Sequence, residues 1–305
     1  MPKLSTTDLE ISRLCLGGNV FGWTADEQQS FAVLDAFHAA GGNFVDTADV
    51  YSAWAEGNSG GESEEIIGRW LARRGNRDEI VVATKVGMLK GFDNQRAGTI
   101  EAAAEASLKR LGVDHIDLYY SHRDDPATPL EESLAAYDRL VRDGKVRYIA
   151  ASNISAARLR EALEISEREG FAKFVALQPE YNLVARQQYE GDLEAVVRDH
   201  GLRTVPYWGL AKGFLTGKYR PGVEVDSARA AAASKYLDEH GLKTLEILDD
   251  LAEQHGTTVA AVALAWLANR PTVASPIASA RTVEQLEDLL PVLTLDIDTT
   301  RLDVI

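Results

Sequence analysis

Short apolar runs alternate with segments of helical spacing along this whole chain, and that alternation constrains the fold more than any single residue does. Eight runs read as strands: Leu14-Leu16, Phe44-Val45, Ile80-Thr84, Ile116-Tyr120, Tyr148-Ala151, Phe174-Leu177, Arg203-Pro206 and Val273-Pro276. Between them, apolar residues recur on one helical face, as at Ile100, Ala104, Leu108 and Leu111, at Leu130, Leu134, Tyr137 and Val141, and at Val259, Val262, Ala263, Trp266 and Leu267. Gly112, Gly144 and Gly170 stand where helices should stop, and Ser155 stands where one should be capped. A strand followed by a helix and another strand returns the chain to the same end of the sheet, so the sheet is expected to be parallel. Eight such units in 305 residues, with no Pro/Gly/Ser-rich linker, predict one domain spanning residues 1–305: an α/β fold closed as a (β/α)8 TIM barrel.

An open doubly wound sheet would normally carry a Gly-x-Gly-x-x-Gly turn after an early strand. Gly17-Gly18-Asn19 and Gly57-Asn58-Ser59-Gly60-Gly61 do not match that spacing, nor that of a P-loop. Met1 to Ile11 precede the first strand and are expected to form a small hairpin closing the barrel floor. Leu210 to His240, with Pro221-Gly222 and an alanine run, exceed an ordinary connection and predict a long loop over the mouth.

The net charge of −15 disfavours nucleic acid and anionic membrane as partners, since both would be repelled. No apolar run approaches the ~20 residues that span a bilayer. The polar Met1–Glu10 stretch lacks the apolar core of a signal peptide. The only cysteine, Cys15, lies in an apolar run and reads as a small core residue. These features predict a soluble, cytoplasmic protein.

Polar groups capable of chemistry stand at or just past nearly every strand. They are Asp46 and Tyr51 after the second, Lys85 at the third and His122 after the fourth. Ser152 and Asn153 follow the fifth, Gln178 the sixth, Tyr207 the seventh, and Ser279 and Arg281 the eighth. Barrel active sites are built at the C-terminal strand ends, so these groups should converge on one mouth. Singly each is ordinary: a strand-end lysine is often solvated, and Asp46 before Thr47 is a common turn residue. Together they suit carbonyl reduction. Hydride arriving at a carbonyl carbon leaves negative charge on oxygen, which a proton must neutralise. A free tyrosine, with pKa about 10, is a sluggish donor. Lys85 beside Tyr51 would lower that pKa, Asp46 would pair the buried ammonium, and His122 would hydrogen-bond the carbonyl oxygen. The spacing of acids and histidines suggests no metal.

Gly42-Asn43-Phe44-Val45-Asp46-Thr47-Ala48-Asp49-Val50-Tyr51, Thr84-Lys85 and Asp117-Leu118-Tyr119-Tyr120-Ser121-His122-Arg123-Asp124-Asp125 follow one another in order. Gly144 to Asn153 and Gln178-Pro179-Glu180-Tyr181-Asn182 come after them. In this order the chain resembles the aldo-keto reductase superfamily over essentially its whole length. The resemblance implies a (β/α)8 barrel that reduces small-molecule aldehydes or ketones; monomer and homodimer are both open. It would bind NADP(H), or less often NAD(H), across the strand ends, with Tyr51 as proton donor. Ser152, Asn153 and Gln178 would then hold the nicotinamide carboxamide, Tyr207 would stack on its ring, and Asn19 with Gly18 would approach the ribose. Trp208, Gly209, Leu210, Ala211, Gly213 and Lys218 fall in the loop that covers the pyrophosphate. Ser279, Arg281 and Gln285 fall in the adenosine-phosphate segment, where a guanidinium suits a 2′-phosphate. Trp208-Gly209 and Ala278-Ser279 stand where the family commonly has Ser-Pro and Pro-Gly, and Leu289 stands in place of a common asparagine. Trp23, Trp54 and Trp208 are candidate substrate-pocket residues, and Trp23 and Trp54 read equally as rim aromatics. Two other readings remain open: a cofactor-holding regulatory barrel that modulates a partner, and a Schiff-base aldolase using Lys85.

Overall fold

In the computed structural model seven of the eight apolar runs overlap a strand, and the eighth strand starts one residue past its run. The structure describes Met1, residues 3–227 and residues 229–304. The strands are β1 (Cys15–Gly17), β2 (Phe44–Asp46), β3 (Val81–Val86), β4 (Ile116–Ser121), β5 (Val146–Ser152), β6 (Phe174–Gln178), β7 (Arg203–Thr204) and β8 (Ile277–Ala278). All pair in parallel in the order β7-β6-β5-β4-β3-β2-β1-β8. Closure comes from a parallel bridge between Thr204 and Val273, with Ala274 N donating to Thr204 O at 2.8 Å and Ile277 N to Pro206 O at 2.8 Å. The parallel (β/α)8 barrel predicted from the alternation is therefore the fold.

The last two strands differ from the sequence expectation. Regular pairing in β8 begins at Ile277 instead of Val273, and β7 stops at Thr204, short of Pro206. Both offsets trace to proline, which has no N–H to give a ladder. Pro206 and Pro276 take part only through their carbonyls, which accept from Ile277 N and Cys15 N.

The helices between strands pack around the outside. They are α1 (Glu27–Ala39), α2 (Glu62–Arg74), α3 (Ala97–Leu111), α4 (Leu130–Arg142), α5 (Ala156–Glu169) and α6 (Asp192–Asp199), then α7 (Ala230–Ala233), α8 (Glu239–His255), α9 (Val259–Ala268) and α10 (Val283–Glu287). Their ends obey the sequence signals. The Ser155 side chain caps α5 by accepting from Arg158 N, and Gly112 and Gly170 end α3 and α5 at φ +64° and +69°, where a Cβ would be strained. Among the described residues no helix is long and apolar enough to cross a membrane.

Two apolar layers hold the barrel. Outward-facing strand residues such as Leu16, Val45, Val82 and Tyr119 pack against the helices, while Cys15, Phe44, Val81, Leu118 and Tyr120 fill the interior. The interior is plugged at its N-terminal end by the predicted hairpin. Lys3 and Glu10 form an antiparallel bridge, and Leu4, Leu9 and Ile11 join the interior core. Asp8 at its tip pairs with Arg147 at 2.9 Å, near the start of β5. With the floor closed, the open end is the C-terminal one. There the predicted excursion runs through a short 3-10 stretch at Ala211–Thr216 and through α7 before α8 begins. Pro2 of the hairpin and Ala228 of the excursion lie outside the described residues.

Candidate active site

Asp46 is the last residue of β2, and Lys85 sits one residue before the end of β3, so both point into the barrel near its open end. Lys85 is fully buried and all three of its N–H groups are used. Nζ donates to Asp46 Oδ2 at 2.6 Å, to the Thr47 carbonyl at 2.7 Å and to Tyr51 Oη at 2.8 Å. Tyr51 Oη in turn donates to Asp46 Oδ2 at 3.2 Å, while Asp46 Oδ1 accepts from Gln178 Nε2 of β6 at 2.9 Å. His122 directly follows β4, its N–H bonded to the Val86 carbonyl, and its ring centroid lies 6.1 Å from that of Tyr51. The four side chains named from sequence thus meet in one place.

Burial decides the protonation of this cluster. It pushes the Lys85 amine down, and the ion pair with Asp46 opposes that shift. It pushes the Tyr51 phenol well up, and the adjacent Asp46 carboxylate adds to the effect. This reverses the expected lowering of Tyr51 by Lys85: loss of water and a neighbouring negative charge outweigh one cation already engaged by Asp46. His122 is held well below the usual histidine range by burial, then by Lys85 and Arg123. At neutral pH Tyr51 therefore keeps its proton and His122 is an uncharged imidazole. Lys85 does not reach the cleft surface; Asp46 and Tyr51 stand between it and the open space. An incoming carbonyl carbon meets the phenol before the amine, which leaves the Schiff-base reading without an exposed nucleophile.

A cleft of about 920 Å³ runs outward from these groups across the strand ends. Its inner wall holds Asp46, Tyr51, His122, Ser152, Asn153, Gln178 and Tyr207, joined by a chain of hydrogen bonds. Tyr207 Oη donates to Asn153 Oδ1 at 2.9 Å, Asn153 Nδ2 to the His122 carbonyl at 2.8 Å, and Ser152 Oγ to the Gln178 carbonyl at 2.8 Å. Farther out come Trp208, Gly209, Leu210, Gly213 and Lys218, then Ser279, Arg281, Gln285 and Leu289, with Asn19 accepting from Ser279 Oγ at 2.5 Å. Gly18 and Ala211 do not line this cleft. Gly18 is buried between the Asp46 carbonyl and Ser63, and Ala211 is packed into the outer core. Arg123 donates to the main-chain carbonyl of Asp93 at 3.0 Å.

Arg229 and Met88 are among the cleft residues that the sequence reading did not name. Arg229 lines the cleft, where burial and the charge of Arg281 hold its guanidinium below its ordinary range. Neither arginine has a carboxylate within ion-pair distance among the described residues. Two neighbouring guanidiniums without a counter-ion fit a phosphate dianion. The available signal was a lone arginine heading the alanine run Ala230–Ala233. Met88, just past β3, also lines the cleft, and its sequence context marks nothing. Among the described residues no group of three or more His, Cys, Asp or Glu could hold a metal ion.

Compared with known proteins, residues 13–305 match the model of the Aldo/keto reductase family. An oxidoreductase of Bacillus subtilis named YrpG is 37% identical over 304 residues, spanning 97% of this chain and 91% of that protein. The norsolorinic acid reductase stcV of Emericella nidulans is 33% identical, over 92% of this chain and 73% of its own length. A probable voltage-gated potassium channel subunit beta of Arabidopsis thaliana is 32% identical, over 96% and 92%.

Proposed function

The chain belongs to the aldo/keto reductase family of oxidoreductases, and from that premise we propose that it reduces an aldehyde or ketone to an alcohol with NADP(H), Tyr51 giving the proton. One observation carries the reading: Lys85 Nζ lies 2.6 Å from Asp46 and 2.8 Å from Tyr51 Oη at the inner end of the cleft. The nicotinamide cofactor, when bound, supplies the hydride. Ser152, Asn153 and Gln178 would hold its carboxamide and Tyr207 its ring, while Lys218, Ser279, Arg229 and Arg281 would face its phosphates.

The protein's own work is done with one proton and two fixed charges, the Lys85 ammonium and the Asp46 carboxylate. Neutral His122 donates a hydrogen bond to the substrate oxygen and sets the carbonyl against Tyr51. As the carbon gains hydride, the new C–H bond forms and the C=O π pair moves onto oxygen. That pair takes the proton from Tyr51 Oη. The phenolate left behind has the Lys85 ammonium 2.8 Å away, and Asp46 holds that ammonium charged although it is buried. The raised phenol pKa keeps the proton in place until the substrate oxygen becomes basic, so Tyr51 serves as a stored donor.

Removing the phenol hydroxyl in Tyr51→Phe should lower kcat by a factor of about 100 to 10,000. NADPH should still bind, measured by its fluorescence. Turnover retained in Tyr51→Phe would overturn the mechanism. The similarity to a named potassium channel subunit favours a second reading, a barrel that holds cofactor and acts through a partner. NADPH binding with no turnover of any carbonyl in a broad panel would favour that reading.

A further inference from the structure

Gly18, which the resemblance brings to the cofactor ribose, is instead buried away from the cleft, in a closed circuit of hydrogen bonds. Its N–H donates to the Asp46 carbonyl at 2.7 Å, and its carbonyl accepts from Ser63 Oγ at 2.8 Å. Ser63 Oγ in turn accepts from Thr47 Oγ1 at 2.8 Å, and Thr47 is the residue joined to Asp46. The circuit therefore starts and ends on the peptide bond between Asp46 and Thr47. A hydroxyl has one proton to give, so its direction is set: Thr47 gives to Ser63, and Ser63 to Gly18. Both hydroxyl residues are fully buried, and neither lines the cleft. No side chain fits at position 18. A Cβ there would lie 2.8 Å from Ser63 Oγ and 3.2 Å from the Asp46 carbonyl oxygen, the two atoms that the Gly18 peptide groups bond.

Two of the three acceptors of Lys85 Nζ belong to the two residues this circuit holds. They are Asp46 Oδ2 at 2.6 Å and the Thr47 carbonyl at 2.7 Å; the third is Tyr51 Oη. Gly18 ties the pair to β1 and Ser63 ties it to α2, while Thr47 N–H reaches the Ala83 carbonyl of β3 at 2.8 Å. Lys85 is fully buried, so a lost acceptor leaves an ammonium N–H without water to replace it and favours the neutral amine. The groups facing Lys85 are Asp46, Asp49 and Tyr51 from the end of β2 and its loop, Cys15 of β1, Tyr120 of β4, and His122 after β4. Of these, Asp46 pairs directly with the ammonium, so a shift of the Asp46–Thr47 peptide disturbs the ion pair and the neighbouring acceptor together.

We propose that Gly18, Thr47 and Ser63 are positioning residues for the reaction: their circuit of hydrogen bonds fixes the Asp46–Thr47 peptide so that two acceptors face Lys85 and hold its ammonium against Tyr51. The proposal rests on carbonyl reduction at Tyr51 and adds residues that act on it through Lys85. Thr47→Val removes one hydroxyl at nearly unchanged volume, and Ser63→Ala opens the circuit at its middle. With NADPH and 4-nitrobenzaldehyde, an electron-poor carbonyl that accepts hydride readily, each should lower kcat about tenfold, the scale of a hydrogen bond to a charged group. KM and NADPH affinity should change by less than about twofold, since none of the three residues lines the cleft. The alkaline limb of the kcat profile should move down by about half a pH unit or more, because a less firmly held ammonium loses its proton sooner. Thr47→Ser, which keeps the hydroxyl, should restore both readouts, and the double variant should be no worse than either single one. Nitrogen-15 NMR of the lysine side chains titrates Lys85 whether or not the aldehyde turns over, and melting curves establish that each variant is folded. Should Ser63→Ala fail to fold, Thr47→Val decides alone. Lys85 titrating as in the native protein in the folded variants overturns the proposal and leaves carbonyl reduction standing. A downward shift of Lys85 in a protein whose native form turns over no carbonyl keeps the hold of the circuit on Lys85 and sinks the reduction.

Discussion

Asp49, three residues past Asp46, shows how far burial alone can move a single group. It is almost wholly enclosed, neither carboxylate oxygen has a hydrogen-bond partner among the described residues, and desolvation together with Glu64 raises its pKa to about 7. An unfolded aspartate titrates near 4. Between about pH 4 and 7 the folded chain therefore binds more protons here than the unfolded chain does, so this residue lowers stability as pH rises through that window and adds no further change above it. Asp49→Asn, which cannot ionise, should melt progressively higher than the native protein as pH rises from about 4 to 7, and by a constant margin beyond. Parallel melting curves across that range would show that Asp49 titrates normally. None of this was legible in the motif containing Asp49, where it reads as one more polar residue between Asp46 and Tyr51.

Elements were easier to read where a repeat carried them than where one residue type interrupted it. The β3 and β4 runs contain no proline and their strands fall where expected, whereas Pro206 and Pro276 displaced pairing at the barrel seam. The excursion after β7 was visible as a length, but not its consequence, which is to bring Arg229 against Arg281 from the loop after β8. If these two guanidiniums grip a 2′-phosphate, Arg281→Met and Arg229→Met should each weaken NADPH at least about tenfold, the scale of a lost charge-assisted pair. NADH, which lacks that phosphate, should be affected less. Titration of cofactor fluorescence measures both, and equal losses for the two cofactors would assign the arginines to the pyrophosphate instead.

At the scale of the whole molecule the two ends of the barrel do different work. The hairpin plugs the floor with Leu4, Leu9 and Ile11, while Asp46, Tyr51 and His122 line the cleft at the opposite end. Leu4→Ala should cost about 2–5 kcal/mol of stability, the usual penalty for an emptied core site, and should leave NADPH affinity little changed. A large loss of affinity in the still-folded variant would mean that floor and mouth are coupled.

From sequence, the alternation of runs was enough for a parallel barrel, and the position of Asp46, Tyr51, Lys85 and His122 at strand ends was enough for one shared site. Both are consequences of periodicity and chain order, which a single sequence carries in full. Other features needed the fold. Gln178 reaches Asp46 from 132 residues away, and Tyr51 is pushed toward a higher pKa, opposite to the direction a lysine neighbour suggested. Long-range proximity and loss of water are set by packing, and no local pattern encodes them. The grouping of the four side chains was therefore foreshadowed by order along the chain, while their charge states, the approach of Arg229 to Arg281 and the shape of the cleft were decided only when the barrel closed.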